Sequence, residues 1–166
     1  MTVASKISSA ATPAVRVLNL AGIDYSLRSF DHDPATRRYG SEAADKLGVS
    51  SDQVFKTLMI QVDGQPVTAL VPVSGQLDLK ALASARGAKK AQLSGVAETE
   101  RRTGYPVGGV SPFGQRHAVP AVVDRTALDH STVFVSAGRR GLEIEIRPED
   151  LVMLTNAQVA KIAALD

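Results

Sequence analysis

The sequence predicts an α+β domain built on a largely antiparallel mixed sheet of six or seven strands, curled into a barrel and flanked by short helices. Strand-like segments cluster as neighbours, VFKTLMIQV with PVTALVPV, then AVPAVVD, STVFVS and LEIEIRP, instead of alternating singly with helices as a doubly wound fold requires. Asp63-Gly64 stands between the first pair as a two-residue hairpin turn. The helix-like segments are short, and most are bracketed by cap and stop residues.

Residues 1–11 are rich in Ala, Ser and Thr without periodicity and read as a frayed extension, leaving 12–166 as a single domain. Thr12 as N-cap, Pro13 at the first helical position and Gly22 past the end bracket a helix with Val15, Leu18 and Ala21 on one side. A strand, IDYSLRSF, follows. The chain then turns through Asp33-Pro34, and a helix is expected from Ser41 as cap to Gly48 as stop. After the first hairpin, Asp78 caps the helix LKALASAR, ended by Gly87, and another begins at Ser94 and runs through AETERR to Gly104. GYPVGGVSPFGQR, residues 104–116, has too many glycines and prolines for a regular element and must be a shaped loop. In LEIEIRP, Leu142, Ile144 and Ile146 alternate with Glu143 and Glu145, as in a half-buried strand, and Ser136–Gly141 makes the tight connection before it. Pro148 opens a helix through Leu154, and Asn156 is expected to cap a last helix to Leu165.

Lys56 is the anomaly in this pattern. Along the pleat, Val54, Lys56, Leu58, Ile60 and Val62 share one face, so the charge falls on the more apolar side of its strand. An ammonium buried without a partner costs several kcal/mol or more. Lys56 should therefore lie at the strand's open end or meet an acidic group.

The totals exclude several classes. With 166 residues, 44% hydrophobic, the chain is long enough for a real core. It has no cysteine, which removes disulfides, thiolate metal sites and a cysteine nucleophile. No run of apolar residues is long enough to span a membrane, no signal h-region is present at the amino end, and the cytoplasm is the simpler expectation. The net charge is only +2, but basic doublets recur at Arg37-Arg38, Lys89-Lys90, Arg101-Arg102 and Arg139-Arg140. Such doublets are ordinary surface unless several converge on one face, where they would suit a phosphate backbone.

Gly109-Val-Ser111-Pro112-Phe-Gly114 resembles a hydrolase nucleophile elbow, but its spacing is wrong by one residue and Pro112 has no N–H to serve as oxyanion donor. Asp31, Asp33 and Glu42 sit at calcium-loop positions one, three and twelve, but Ala35 and Thr36 stand where a ligand and a glycine are needed. His32, His117 and His130 lack metal spacing, so neither a metal nor another cofactor is expected. What remains is Lys56 with a glycine-rich loop whose amides can approach a ligand at Gly108 and Gly109, an arrangement suited to an anion or a carbonyl. The alternative is a lysine snorkelling at a strand end beside glycines that serve only a turn.

FKTLMI, TGYPVGGVSPFGQ, FDHDP, GQLDLK and VSAGRRGLEIEI together resemble the YbaK family of bacterial aminoacyl-tRNA editing proteins, over about residues 12–163. The resemblance implies an aminoacyl-tRNA deacylase that clears Cys-tRNA(Pro), in which the substrate's own thiol attacks its ester carbonyl and releases tRNA and a cyclic thioester. The FKTL lysine, here Lys56, would be the essential catalytic residue. Gly108, Gly109, Ser111, Pro112 and Gly114 would hold the aminoacyl ester or terminal adenosine, with Gly138 as a second wall. Phe30 would pack against the substrate where the family commonly has tyrosine, which puts fine amino acid selectivity in question. The implied partners are the acceptor end of tRNA(Pro) and prolyl-tRNA synthetase; neither a membrane nor DNA is called for. Rival readings within the resemblance are editing of Ala-tRNA(Pro) or another small aminoacyl-tRNA, and a non-catalytic module that binds tRNA or a regulatory partner.

Overall fold

A computed structural model describes residues 11–165, so the expected extension over 1–11 lies, but for its last residue, outside the described residues. Among them, ten strands pair as three sheets, and five α-helices pack around them. The helices are α1 (Pro13–Ala21), α2 (Tyr39–Leu47), α3 (Leu79–Ala85), α4 (Val96–Thr103) and α5 (Pro148–Thr155). The strands are β1 (Ser26–Ser29), β2 (Phe55–Val62), β3 (Gln65–Pro72), β4 (Gly75–Leu77), β5 (Ala91–Leu93), β6 (Ala121–Asp124), β7 (Val133–Arg139), β8 (Leu142–Ile146), β9 (Gln158–Ala160) and β10 (Ala163–Leu165).

The five-stranded sheet has the order β5-β2-β3-β6-β9, antiparallel through β3 and parallel beyond it. The second sheet, β1-β8-β7, is antiparallel throughout, and β4 pairs with β10 alone. The α+β class holds, but in place of one sheet closed into a barrel there are three sheets, the backbones of the two larger ones joined by a parallel bridge from Val54 to Phe134 and their inner faces packed in one core. That bridge, reinforced by Phe134 N–H donating to the Gln53 carbonyl at 3.0 Å, lies two residues before Lys56 and fixes the start of β2 against β7.

Local signals act where expected. The Thr12 hydroxyl accepts from Val15 N–H and closes the first turn of α1, while Gly22 ends it at φ 68. Asp63 and Gly64, at φ 48 and φ 81, form the hairpin turn between β2 and β3. Asp78 caps α3 by accepting from Ala81 N–H. α2, however, begins at Tyr39 and not at a Ser41 cap: Arg38 stands at the cap without a side-chain hydrogen bond, and Gly40 in the first turn lies directly against Val73. β4 and β5 arise from three-residue segments too short to show a period.

The expected last helix from Asn156 does not form. Asn156 adopts φ 50 and ends α5, and the residues beyond it extend into β9 and β10. The cause is Asp124, 1% exposed, whose Oδ1 accepts from both Ile162 and Ala163 N–H at 2.9 Å. Tertiary hydrogen bonds that satisfy a buried carboxylate outweigh the weak helical spacing of Val159, Ile162 and Ala163.

Two core layers flank the five-stranded sheet. One packs α1, Phe55 and the Leu142, Ile144 and Ile146 face of β8; the other packs Ile60, Val62, Val67 and Val71 against Leu82 of α3 and Ile162. A smaller cluster of Ala43, Ala44, Val54 and Phe134, with Phe30 against it, seats α2 over the opposite face of β7 and β8. No helix among the described residues is long and apolar enough to cross a membrane.

Candidate active site

Where α2 covers the start of β2 and the outer face of β7 and β8, a cavity of about 410 Å³ opens. Its walls come from Arg37–Ser41 at the head of α2, Val54–Met59 of β2, Val107, Gly108 and Val110 of the glycine-rich loop, and Ser136 and Glu143 of the β7–β8 pair. Leu93, Ser94, Val96 and Thr99 add a more apolar side. The size matches small-ligand pockets of roughly 300–1,000 Å³.

Lys56 is half-buried and lines this cavity. Farther along β2, the residues of its own parity, Ile60 and Val62, are sealed beneath α3, so the lysine occupies the part of the face left open at the strand's beginning. The cavity also holds the acidic group that the sequence did not single out. Glu143 is 7% exposed, and burial pushes its carboxyl up to about 8, so it holds a proton through most of the neutral range. LEIEI alone suggests that Glu143 faces water. A signal against that lies in the partner strand: Phe134 and Ser136 share the outer side with Glu145 and Glu143 in the register of β7 and β8, and a phenylalanine there indicates a covered surface. Glu145, farther along that face, instead meets Arg28 at 3.3 Å and accepts from Thr132 at 2.7 Å.

The loop glycines divide by surroundings. Gly108 lines the cavity at φ 88, and a Cβ there would fall 2.6 Å from the Tyr39 ring. Gly109 lies against the Arg139 and Arg140 backbone, Gly114 against the Pro13 carbonyl, and Gly138 against the Tyr105 ring, each where a Cβ would approach to 2.7 Å or less. Those three serve close packing. Ser111 is fully buried, and its hydroxyl oxygen accepts from Phe113 N–H at 3.3 Å while its carbonyl accepts from Gln115. Pro112 is half-buried beside it, outside the cavity lining. Phe30 packs with Phe134 and Val54 in the small cluster beneath α2, also outside the lining. Of the eight residues singled out from sequence, Lys56 and Gly108 line the cavity, while Phe30, Gly109, Ser111, Pro112, Gly114 and Gly138 lie outside its lining.

Tyr39, Arg37 and Arg38 were missed as site residues. The arginine doublet was visible as charge, but only the docking of α2 places it at a cavity. The Arg101-Arg102 doublet is instead engaged on its own helix, both arginines meeting Glu98 at 2.6 Å. His32 accompanies Glu42 at 2.7 Å, and His130 meets the Phe55 ring edge-on, while among the described residues no group of three or more His, Asp or Glu could hold a metal ion. Burial alone would raise the Glu42 carboxyl, but hydrogen bonds from His32, Asp33 N–H and Lys46 outweigh it and hold the group below its ordinary value.

Residues 33–154 match the model of the aminoacyl-tRNA editing domain, and the chain belongs to that family, the YbaK type. It is 36% identical over 164 residues to the Enterococcus faecalis protein named "Putative Cys-tRNA(Pro)/Cys-tRNA(Cys) deacylase EbsC", covering 96% of this chain and 97% of that protein. It is 39% identical over 88 residues to the proline–tRNA ligase of Nitratidesulfovibrio vulgaris strain DP4, spanning 53% of this chain and only 15% of the ligase. A solved structure described as a "putative trans-editing enzyme for prolyl tRNA synthetase" superposes with a TM-score of 0.82 at 26% identity, over 95% of this chain and 98% of that one.

Proposed function

We propose that this protein is a trans-editing aminoacyl-tRNA deacylase of the cytoplasm that clears cysteine from mischarged tRNA(Pro). The observation that carries the reading is the placement of Lys56 in one cavity with the Gly108 wall and the buried Glu143. The substrate's thiolate attacks its own ester carbonyl carbon; the bond to the ribose oxygen breaks, the oxygen takes up a proton, and tRNA leaves with a cyclic thioester as the other product. A free thiol has a pKa of about 8.5, so only a small fraction is ionised at neutral pH. The ammonium of Lys56 raises that fraction or stabilises charge growing on the carbonyl oxygen. Glu143 holds a proton near neutrality beside that chemistry and is suited to supplying it to the departing oxygen.

Arg37 and Arg38 at the same cavity meet the phosphates of the acceptor end. With a net charge of +2, selectivity for tRNA(Pro) comes in part from association with prolyl-tRNA synthetase. The loop glycines outside the cavity and Ser111 support the wall that Gly108 presents, and Phe30 supports α2 from beneath.

The test compares release of amino acid from Cys-tRNA(Pro), Ala-tRNA(Pro) and Ser-tRNA(Pro) by the wild type and Lys56→Ala. Cysteine should be released fastest, and the variant should lose about 10²- to 10³-fold in kcat while keeping its fold. Equal rates for the three substrates would remove the thiol mechanism, and full turnover without Lys56 would remove the assigned site.

A further inference from the structure

Arg140 stands on the turn between β7 and β8, and its side chain joins three separate parts of the chain. Its Nε and Nη2 both donate to the Val107 carbonyl, at 2.9 and 2.7 Å. The same guanidinium lies over the ring of Tyr39, 4.7 Å from the centroid. Tyr39 is the first residue of α2, and its ring also excludes any side chain at Gly108. His32 approaches that ring at 5.9 Å and is held in turn by Glu42 at 2.7 Å. Beneath the same helical turn there is no slack, since a Cβ at Gly40 would fall 2.3 Å from Val73. Tyr39, Val107 and Gly108 line the cavity, and Arg140 braces them from behind.

We propose that Arg140 is a positioning residue that locks Tyr39 and the Val107–Gly108 segment into one rigid wall, and that the fixed phenol ring sets the room available to the substrate's amino acid. The inference rests on the deacylase reading and adds a determinant of its selectivity at a place other than position 30. Only a guanidinium can do both tasks at once, forking onto a carbonyl and stacking flat on an aromatic face; an ammonium can do one or the other. The wall matters because misplacement of a reacting group by about an ångström is enough to cost on the order of 10²-fold in rate.

The experiment measures kcat and KM on Cys-, Ala- and Ser-tRNA(Pro) for wild type, Arg140→Ala, Arg140→Lys and Arg139→Ala, together with amide hydrogen exchange at Val107–Gly109. Arg140→Ala should lower kcat for cysteine by about tenfold, with KM changed by less than about twofold, and shrink the preference for cysteine over alanine. Exchange at Gly109, whose N–H donates to the Pro106 carbonyl at 2.8 Å, should quicken. Arg140→Lys should behave like the alanine variant, and Arg139→Ala, which removes the same charge next door, like the wild type. If Arg140→Ala keeps the cysteine preference and the exchange rates, or if Arg139→Ala falls equally, the brace is overturned. A wild type inactive on all three substrates would defeat the deacylase reading, while the exchange measurement would still decide whether the brace exists.

Discussion

Val107, Gly108 and Val110 line the cavity, Val110 also reaching the core, whereas of the next residues of the same loop Ser111 and Phe113 are buried away from it and Gly114 lies on the head of α1. The first half is held from outside, by Arg140 on the Val107 carbonyl and by the Tyr39 ring against Gly108. The second half is held from within: Tyr105 donates to the Phe113 carbonyl at 2.6 Å, Ser111 accepts from Phe113 N–H, and Gly114 lies on the backbone of Pro13 at the head of α1. A single glycine-rich motif thus contains a wall and its foundation. Residue type does not distinguish them, because Gly108 and Gly114 both have positive φ and both leave no room for a methyl group.

The sharpest way to separate the halves is to add that methyl group to each. Gly114→Ala forces a Cβ to within 2.7 Å of main-chain atoms at Pro13, which cannot swing aside, at φ 64. Strain in the left-handed region and overpacking together should cost about 3 kcal/mol of stability. Thermal or urea unfolding would register this as a lower midpoint, with kcat of the folded fraction unchanged. Gly108→Ala carries the same left-handed strain, at φ 88, but meets a partly exposed tyrosine ring instead of main chain, so it should cost somewhat less stability and remove most deacylation by displacing the wall. If the two variants have the same profile, the division of the loop is wrong.

How far these halves could be read from sequence follows from what each depends on. Thr12, Gly22, Asp63-Gly64 and Asp78 act through neighbours a few residues away, so their roles were legible. Lys56 was legible too, as a charge breaking an apolar alternation. Glu143 looked solvated because the cover over its strand, α2, lies about a hundred residues earlier in sequence. Ile162 and Ala163 looked helical because Asp124, which takes their amides, lies on β6. Tyr39 was invisible as a wall because its neighbours Gly108 and Arg140 come from two other segments. Local propensity marks element ends; only long-range packing decides which face of an element is wet.

The contrast extends across the cavity to Glu143. A carboxyl raised to about 8 in the fold and ionising near its ordinary value in the unfolded chain takes up protons on folding between those limits. Its contribution to stability is therefore fully present below the unfolded value and is lost as pH rises through about 8. Glu143→Gln should remove this slope, gaining about 3–4 kcal/mol on the wild type between pH 5 and pH 8 in denaturation measured across that range. It should also slow deacylation, since the amide cannot supply a proton to the ribose oxygen. Parallel stability curves for the two proteins would place an ionised carboxylate in the cavity at neutral pH and reassign the proton donor.

Ser111 supplies the smallest and most discriminating effect, because it is the residue of the foundation most easily mistaken for a substrate contact. Its hydroxyl is fully buried and its oxygen accepts from Phe113 N–H, so Ser111→Ala leaves one buried donor unsatisfied and should cost about 1 kcal/mol. The carbonyl that receives Gln115 survives the substitution, which keeps the loop's path intact. kcat and KM for Cys-tRNA(Pro) should therefore stay within about twofold of the wild type, while the urea midpoint falls. A variant with wild-type stability and a raised KM would move Ser111 from the foundation to the wall, and the boundary between the two halves would shift from residue 110 to beyond 111.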